Sequence, residues 1–190
     1  MIPVDLLMKE HRIIEQMIES IEKQIAEIDT IRKMDSAFIE IIVDFIRTYV
    51  DHCHHGKEEG ILFRELRKRN ISEEHSKTMG ELIQDHVYAR KTTTNLEEAN
   101  ENYLKGDLES LKDIRKCLND LAELYPQHIL TEDNSFFYPS MEYFTQQEQE
   151  AMLQEFYESD RKLIHEKYSK VLDKLKEISN LGTIIFVQTG

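Results

Sequence analysis

Cys-His-His-Gly-Lys-Glu-Glu-Gly-Ile-Leu-Phe, residues 53–63, is the stretch on which the fold turns. His54 and Glu58 are four residues apart, so on an α-helix they stack one turn above the other on a single face. That face is otherwise apolar: Val43, Ile46 and Val50 precede the pair, and Ile61 follows it in the same rhythm. An ionisable group at a core position must be ion-paired, hydrogen-bonded or metal-bound to offset its desolvation. The stretch therefore reads as a helix whose buried face carries polar chemistry.

Outward from it, sparse punctuation cuts the chain into long segments with a 3.6-residue apolar period. Helix 1 is expected from about Val4 to Ile28, with a stripe of Val4, Leu7, His11, Ile14, Ile18, Ile21, Ile25 and Ile28. Helix 2 opens at Asp35 or Ser36, both good N-caps, and extends to about Arg69. Helix 3 begins at Ser72 and ends before Gly106, a residue suited to the left-handed conformation that closes helices. Helix 4 starts at Asp107, carries Ile114, Leu118, Leu121, Tyr125, His128, Glu132 and Phe136 on its stripe, is kinked by Pro126 and stopped by Pro139. Thr145 and Glu148 form the pattern of a capping box opening helix 5, which runs to about Gly182. The expected architecture is all-α: an up-down-up-down four-helix bundle with a fifth C-terminal helix, one domain over residues 1–180. Residues 181–190 are β-branched and aromatic, read as a short extended tail.

Composition narrows the function. Asp and Glu outnumber Lys and Arg by 37 to 24, a net charge of −13 that repels nucleic acid and anionic membrane surfaces. Only 6 Gly and 3 Pro among 190 residues, with 40 % hydrophobic and 32 % charged residues, describe a helical globular chain able to bury its own core. Cys53 and Cys117 are far apart and form no Cys-x-x-Cys, so they read as reduced, inert thiols. With no export signal and no run of 18 apolar residues, a cytoplasmic location is expected. Glycine-rich phosphate loops are missing, which removes the kinase, P-loop and Rossmann classes.

His11, His54, His86 and His128 occupy core positions, one on each of the first four helices, and His128 repeats the spacing of His54 with Glu132 four residues on. In an antiparallel bundle all four fall toward the same end, where they can meet. Four imidazoles with Glu58 and Glu132 exceed what one structural zinc needs, and suit two metals sharing bridging carboxylates. The other histidines lie off the stripes: His52, His55 and His75 read as solvated or supporting positions, and His165 is one place from the helix 5 stripe of Ile164, Tyr168 and Val171.

Four segments now resemble the signature segments of the hemerythrin-like domains with the HHE cation-binding pattern. They are Glu10-His11, residues 53–63, Asp85-His86 with Arg90, and residues 128–139. The resemblance covers residues from about 4 to 175. It implies a bundle holding a non-haem di-iron centre, with Glu58 and Glu132 bridging two iron ions and an added C-terminal helix. Zinc and manganese suit similar nitrogen and oxygen donors. Classical oxygen-carrying members have a second histidine on helix 3 where this chain has Arg90, and an aspartate five residues after the helix 4 histidine, where Asp133 stands. Glu132 is preferred over Asp133 because it repeats the helix 2 geometry.

With one imidazole fewer, an open metal position is expected to favour redox chemistry with O₂, peroxide or nitric oxide over oxygen carriage. The alternative is a module that binds oxygen or iron reversibly, as sensor or store, and a third reading is a metal-free acidic bundle that binds a partner. Arg90 is read either as a hydrogen-bond donor to a bound peroxide or as a salt bridge at the bundle surface. Tyr125, one turn before His128, is read as packed core ahead of a ligand. The chain is expected to be a monomer or a homodimer.

Overall fold

The computed structural model describes residues 1–162, and every described regular element is helical. Helix α1 spans Pro3–Ile31. Helix α2 covers residues 36–66 and contains two π-helical stretches, Ile46–His55 and Glu58–Leu62. Helix α3 is Glu73–Leu104. Helix α4 covers residues 110–141, with a third π stretch at Glu132–Phe136. Helix α5 begins at residue 146. The end of helix 5, His165, the stripe of Ile164, Tyr168 and Val171, and the tail at 181–190 lie outside the described residues.

Local chemistry sets the ends. The Asp35 side chain accepts from the Ala37 amide at 3.0 Å and caps α2, and Ser72 caps α3 through the His75 amide at 3.1 Å. Gly106, at φ +99, closes α3. Asp107 does not begin α4. Its carboxylate accepts from the Glu109 amide and the Ser110 hydroxyl, a side-chain turn that holds the chain just ahead of the helix. Pro126 leaves α4 unbroken, and the helix passes Pro139 to end at Met141. The capping box forms: the Thr145 amide donates to Glu148 and the Glu148 amide to Thr145 Oγ1.

Two apolar cores alternate along the helices, and their order shows the topology. One contains Ile14, Val50, Ala89 and Ile129; the other contains Leu7, Ile61, Leu82 and Phe136. Reading along the chain, α1 passes from the second to the first, α2 from the first to the second, α3 back again and α4 back once more. The four helices are therefore antiparallel in sequence, up-down-up-down, and pack as a closed ring. Helix α5 buries Met152 and Phe156 in the second core. It is tied to α2 by Arg64 on Glu155 at 2.7 and 2.9 Å, and to the turn after α2 by Arg69 on Glu148.

Phe156 is fully buried. Phe156→Ala is expected to cost about 3–5 kcal/mol, as loss of a core aromatic ring does. Equilibrium denaturation checks this, and a loss below 1 kcal/mol would show that α5 merely rests on the bundle.

Candidate metal centre

Between the two apolar cores lies a polar layer, crossed by every helix of the bundle. His11, His54, Glu58, His86, His128 and Glu132 meet there, all buried, and Glu58 and Glu132 are fully shielded from solvent. Two groups of donor atoms form within the layer. His11, His54, Glu58 and Glu132 make one; His55, Glu58, His86 and His128 make the other, so Glu58 belongs to both.

Outer hydrogen bonds orient the imidazoles. His11 Nδ1 is 2.7 Å from Asp133, His54 Nδ1 2.9 Å from Glu10, His86 Nδ1 2.8 Å from Glu59, and His128 Nδ1 3.2 Å from Asp85. A carboxylate only accepts, so each Nδ1 carries a proton and Nε2 is turned toward the layer. The four bonds close a circuit. Glu10 of α1 holds a histidine of α2, Glu59 of α2 one of α3, Asp85 of α3 one of α4, and Asp133 of α4 one of α1. Each of these carboxylates is the sequence neighbour of a residue its own helix places in the layer.

The inward atoms stand close enough together to share cations. His11 Nε2 and His54 Nε2 are 3.0 Å apart, and His86 Nε2 and His128 Nε2 3.1 Å, also within hydrogen-bond distance. Glu58 reaches His54 at 3.2 Å with one oxygen and His86 at 3.4 Å with the other, while one oxygen of Glu132 lies 3.2 Å from His11 and 3.3 Å from His128. None of these four contacts has hydrogen-bond geometry, and all four carboxylate oxygens are buried without a hydrogen-bond partner. Buried carboxylates that meet their neighbours without hydrogen bonds are costly unless a positive charge joins them. The residues present therefore fit a pair of metal ions.

A family model for the hemerythrin HHE cation-binding domain matches residues 2–140. The chain belongs to the hemerythrin HHE family. Comparison with curated proteins and with solved structures returned no match.

The hemerythrin layer differs from the sequence expectation at His55. Expected off the stripe, His55 is buried, its ring stacked on His86 at 3.8 Å between centroids, and it joins the second donor group. The cause is the π stretch Ile46–His55, whose i→i+5 bonding admits one more residue per turn and turns two consecutive histidines inward. Asp51 Oδ1 stands 3.5 Å from His55 Nδ1. His75 stays outside the layer, its Nδ1 2.8 Å from the Tyr143 hydroxyl, and His52 is exposed. Between Glu132 and Asp133 the layer takes the first, and Asp133 braces His11.

Arg90 is engaged in ion pairing, with Asp51 at 2.6 Å and Glu59 at 2.5 Å. It thereby steadies the two carboxylates that face His55 and His86. Tyr125 is packed in the first core, and burial pushes its phenol up, so it keeps its proton. Burial likewise raises the Cys53 thiol to about 12, leaving it a thiol. Cys53, Glu10 and Asp160 form a third group of donor atoms, but the fully buried Lys57 ammonium occupies it. Lys57 Nζ donates to Glu10, to Asp160 at 2.6 Å and to Cys53 Sγ at 3.3 Å. Lying in a charged run beside Glu58 and Glu59, Lys57 carries no sign of its burial in the sequence.

Burial disfavours the charged form of His54, yet Glu58 and the bond to Glu10 outweigh it and push the pKa up to about 10. His128 rises to about 10 in the same way, through Glu132 and Asp85. Without metal both rings are protonated at pH 7, so metal uptake must displace a proton from each. Apparent metal affinity is expected to rise with pH toward 10 and to fall on acidification. Calorimetric titration in buffers of different ionisation enthalpy counts the protons, and metal binding without proton release would contradict this electrostatic picture.

Proposed function

We propose that the chain holds two iron ions in this layer and reacts with a small ligand, O₂, peroxide or nitric oxide, in an oxidative-stress or iron-related redox role. The supporting observation is the pair of donor groups that share Glu58 while four buried carboxylate oxygens lack hydrogen-bond partners. His11, His54, Glu58 and Glu132 would hold one ion; His55, His86, His128 and Glu58 the other, with Glu132 also within reach. Mixed imidazole and carboxylate donors suit iron, and four protein donors per ion leave coordination positions for a small ligand. A paired iron site would supply reversible two-electron exchange with that ligand.

The protein's own part is orientation and exclusion. Phe137 stacks on His11 at 5.5 Å and Phe63 on His86 at 6.3 Å, fixing the rings from the side of the second core. Carboxylates on Nδ1 make each imidazole a stronger donor and hold its angle. The apolar cores on both sides exclude water, which strengthens every interaction in the layer.

The second reading, reversible binding without turnover, gains from His55. It returns the imidazole that Arg90 had displaced, and so restores the donor count expected of an oxygen carrier. We further propose that the chain works in the reducing cytoplasm as a monomer or homodimer and does not bind nucleic acid. Among the described residues no helix is long and apolar enough to cross a membrane.

Aerobically purified protein is expected to contain about two irons per chain with an oxo-bridged ferric spectrum. Glu58→Ala should lose both metals, whereas His11→Ala should keep one. Full metal content in Glu58→Ala would refute the shared site. Hydrogen peroxide consumption over many cycles with a supplied reductant decides for turnover, and reversible spectral changes on cycling O₂ decide for carriage.

A further inference from the structure

Lys57 precedes the shared carboxylate Glu58 in sequence, yet its side chain turns to other partners. The ammonium is fully shielded from solvent and donates to Glu10 of α1, to Asp160 of α5 at 2.6 Å and to Cys53 Sγ at 3.3 Å. A buried ammonium needs close acceptors, and these partners occupy all of its donors. Glu10 is divided in turn: Oε1 accepts from Lys57, and Oε2 accepts from His54 Nδ1 at 2.9 Å. A glutamate side chain has several rotatable bonds, so the bond to His54 alone would leave the carboxylate free to turn, and the bond from Lys57 fixes it.

The other bracing carboxylates are held less firmly from outside. Arg90 bonds Glu59 and Arg12 bonds Asp133, but these side chains are 39 % and 52 % exposed, so water screens and competes with both pairs. Asp85 meets no Lys or Arg among the described residues. Of the four braces, only Glu10 has a buried cation behind it.

We propose that Lys57 is a positioning residue for the donor group of His11, His54, Glu58 and Glu132. Anchored by Asp160, it fixes Glu10 and through Glu10 the ring of His54, so that α5 sets how tightly this group holds its metal ion. This role rests on the pair of ions proposed above. Two effects of the ammonium oppose each other there: its charge repels a cation, and its bonds hold a ligand in place. The charge is matched by Glu10 and Asp160, whose oxygens lie within 4.8 Å of each other. Without Lys57 the two carboxylates would repel and draw Glu10 away from His54. Loss of the partner that orients a ligating imidazole weakens metal binding about 10–100-fold, and Lys57, one bond further out, is placed at the low end.

Zinc is the probe, titrated in competition with a chromophoric chelator into His128→Ala, which keeps the group that contains His54, and into His11→Ala, which keeps the other. Added Lys57→Met is expected to weaken zinc binding about tenfold in the first protein and by less than about twofold in the second, and Asp160→Ala to act in the same direction by about threefold. In doubly zinc-loaded protein with nitrogen-15-labelled histidine, the His54 Nδ1–H signal should exchange with water faster in Lys57→Met, while the signals of His86 and His128 stay unchanged. A lysine that serves stability alone would not divide the two groups. Should Lys57→Met fail to fold, Asp160→Ala, at a position 29 % exposed, decides alone. Should a single-group protein bind no zinc, the exchange of His54 Nδ1–H in the doubly loaded protein decides. Equal losses at both groups, no loss at either, or tighter binding overturns the role of Lys57 and leaves the metal centre standing. No zinc uptake by the wild type refutes both.

Discussion

Four carboxylate–imidazole bonds, each crossing from one helix to the next and together closing around the bundle, are the constraint on which the rest depends. Charge-assisted bonds of this kind contribute about 1.5–3 kcal/mol each, and more is lost if one partner is left buried alone. They also set the register. Sliding any one helix by a turn, about 5.4 Å, would break the bond it gives and the bond it receives. The apolar cores above and below then fall into place because Leu7 and Ile14, Leu82 and Ala89, or Tyr125 and Phe136 flank the polar residues of their own helix.

Much of this was legible in the sequence. The 3.6-residue stripes were interrupted by His11, His54, Glu58, His86, His128 and Glu132, and the structure brings those six side chains into one layer. His55 was hidden because an α-helical stripe assigns adjacent residues to different faces, and nothing in the local composition announces a π turn. The bracing acids were visible as the doublets Glu10-His11, Glu58-Glu59, Asp85-His86 and Glu132-Asp133. Their direction was not, since each acts on a neighbouring helix, and only packing decides which one. Lys57 was unreadable for a similar reason: its partners are drawn from α1 and α5, more than 40 residues away on either side.

Arg90 and His55 are linked through one carboxylate. Arg90, one turn after His86, turns outward to Asp51 and Glu59. Asp51 in turn faces His55, an imidazole supplied by α2. Helix α2 thus brings two imidazoles to the layer and α3 one, and the π stretch is what makes room for the second.

Lys57 joins that layer to a helix outside the family match. Its ammonium bonds Glu10, which bonds His54, and on the other side it bonds Asp160 of α5, whereas the matched segment ends at residue 140. During synthesis, at about 5–20 residues per second, all the donors of the layer leave the ribosome before Asp160 does. The helix whose described residues contribute no donor to the layer is thus the one that completes it.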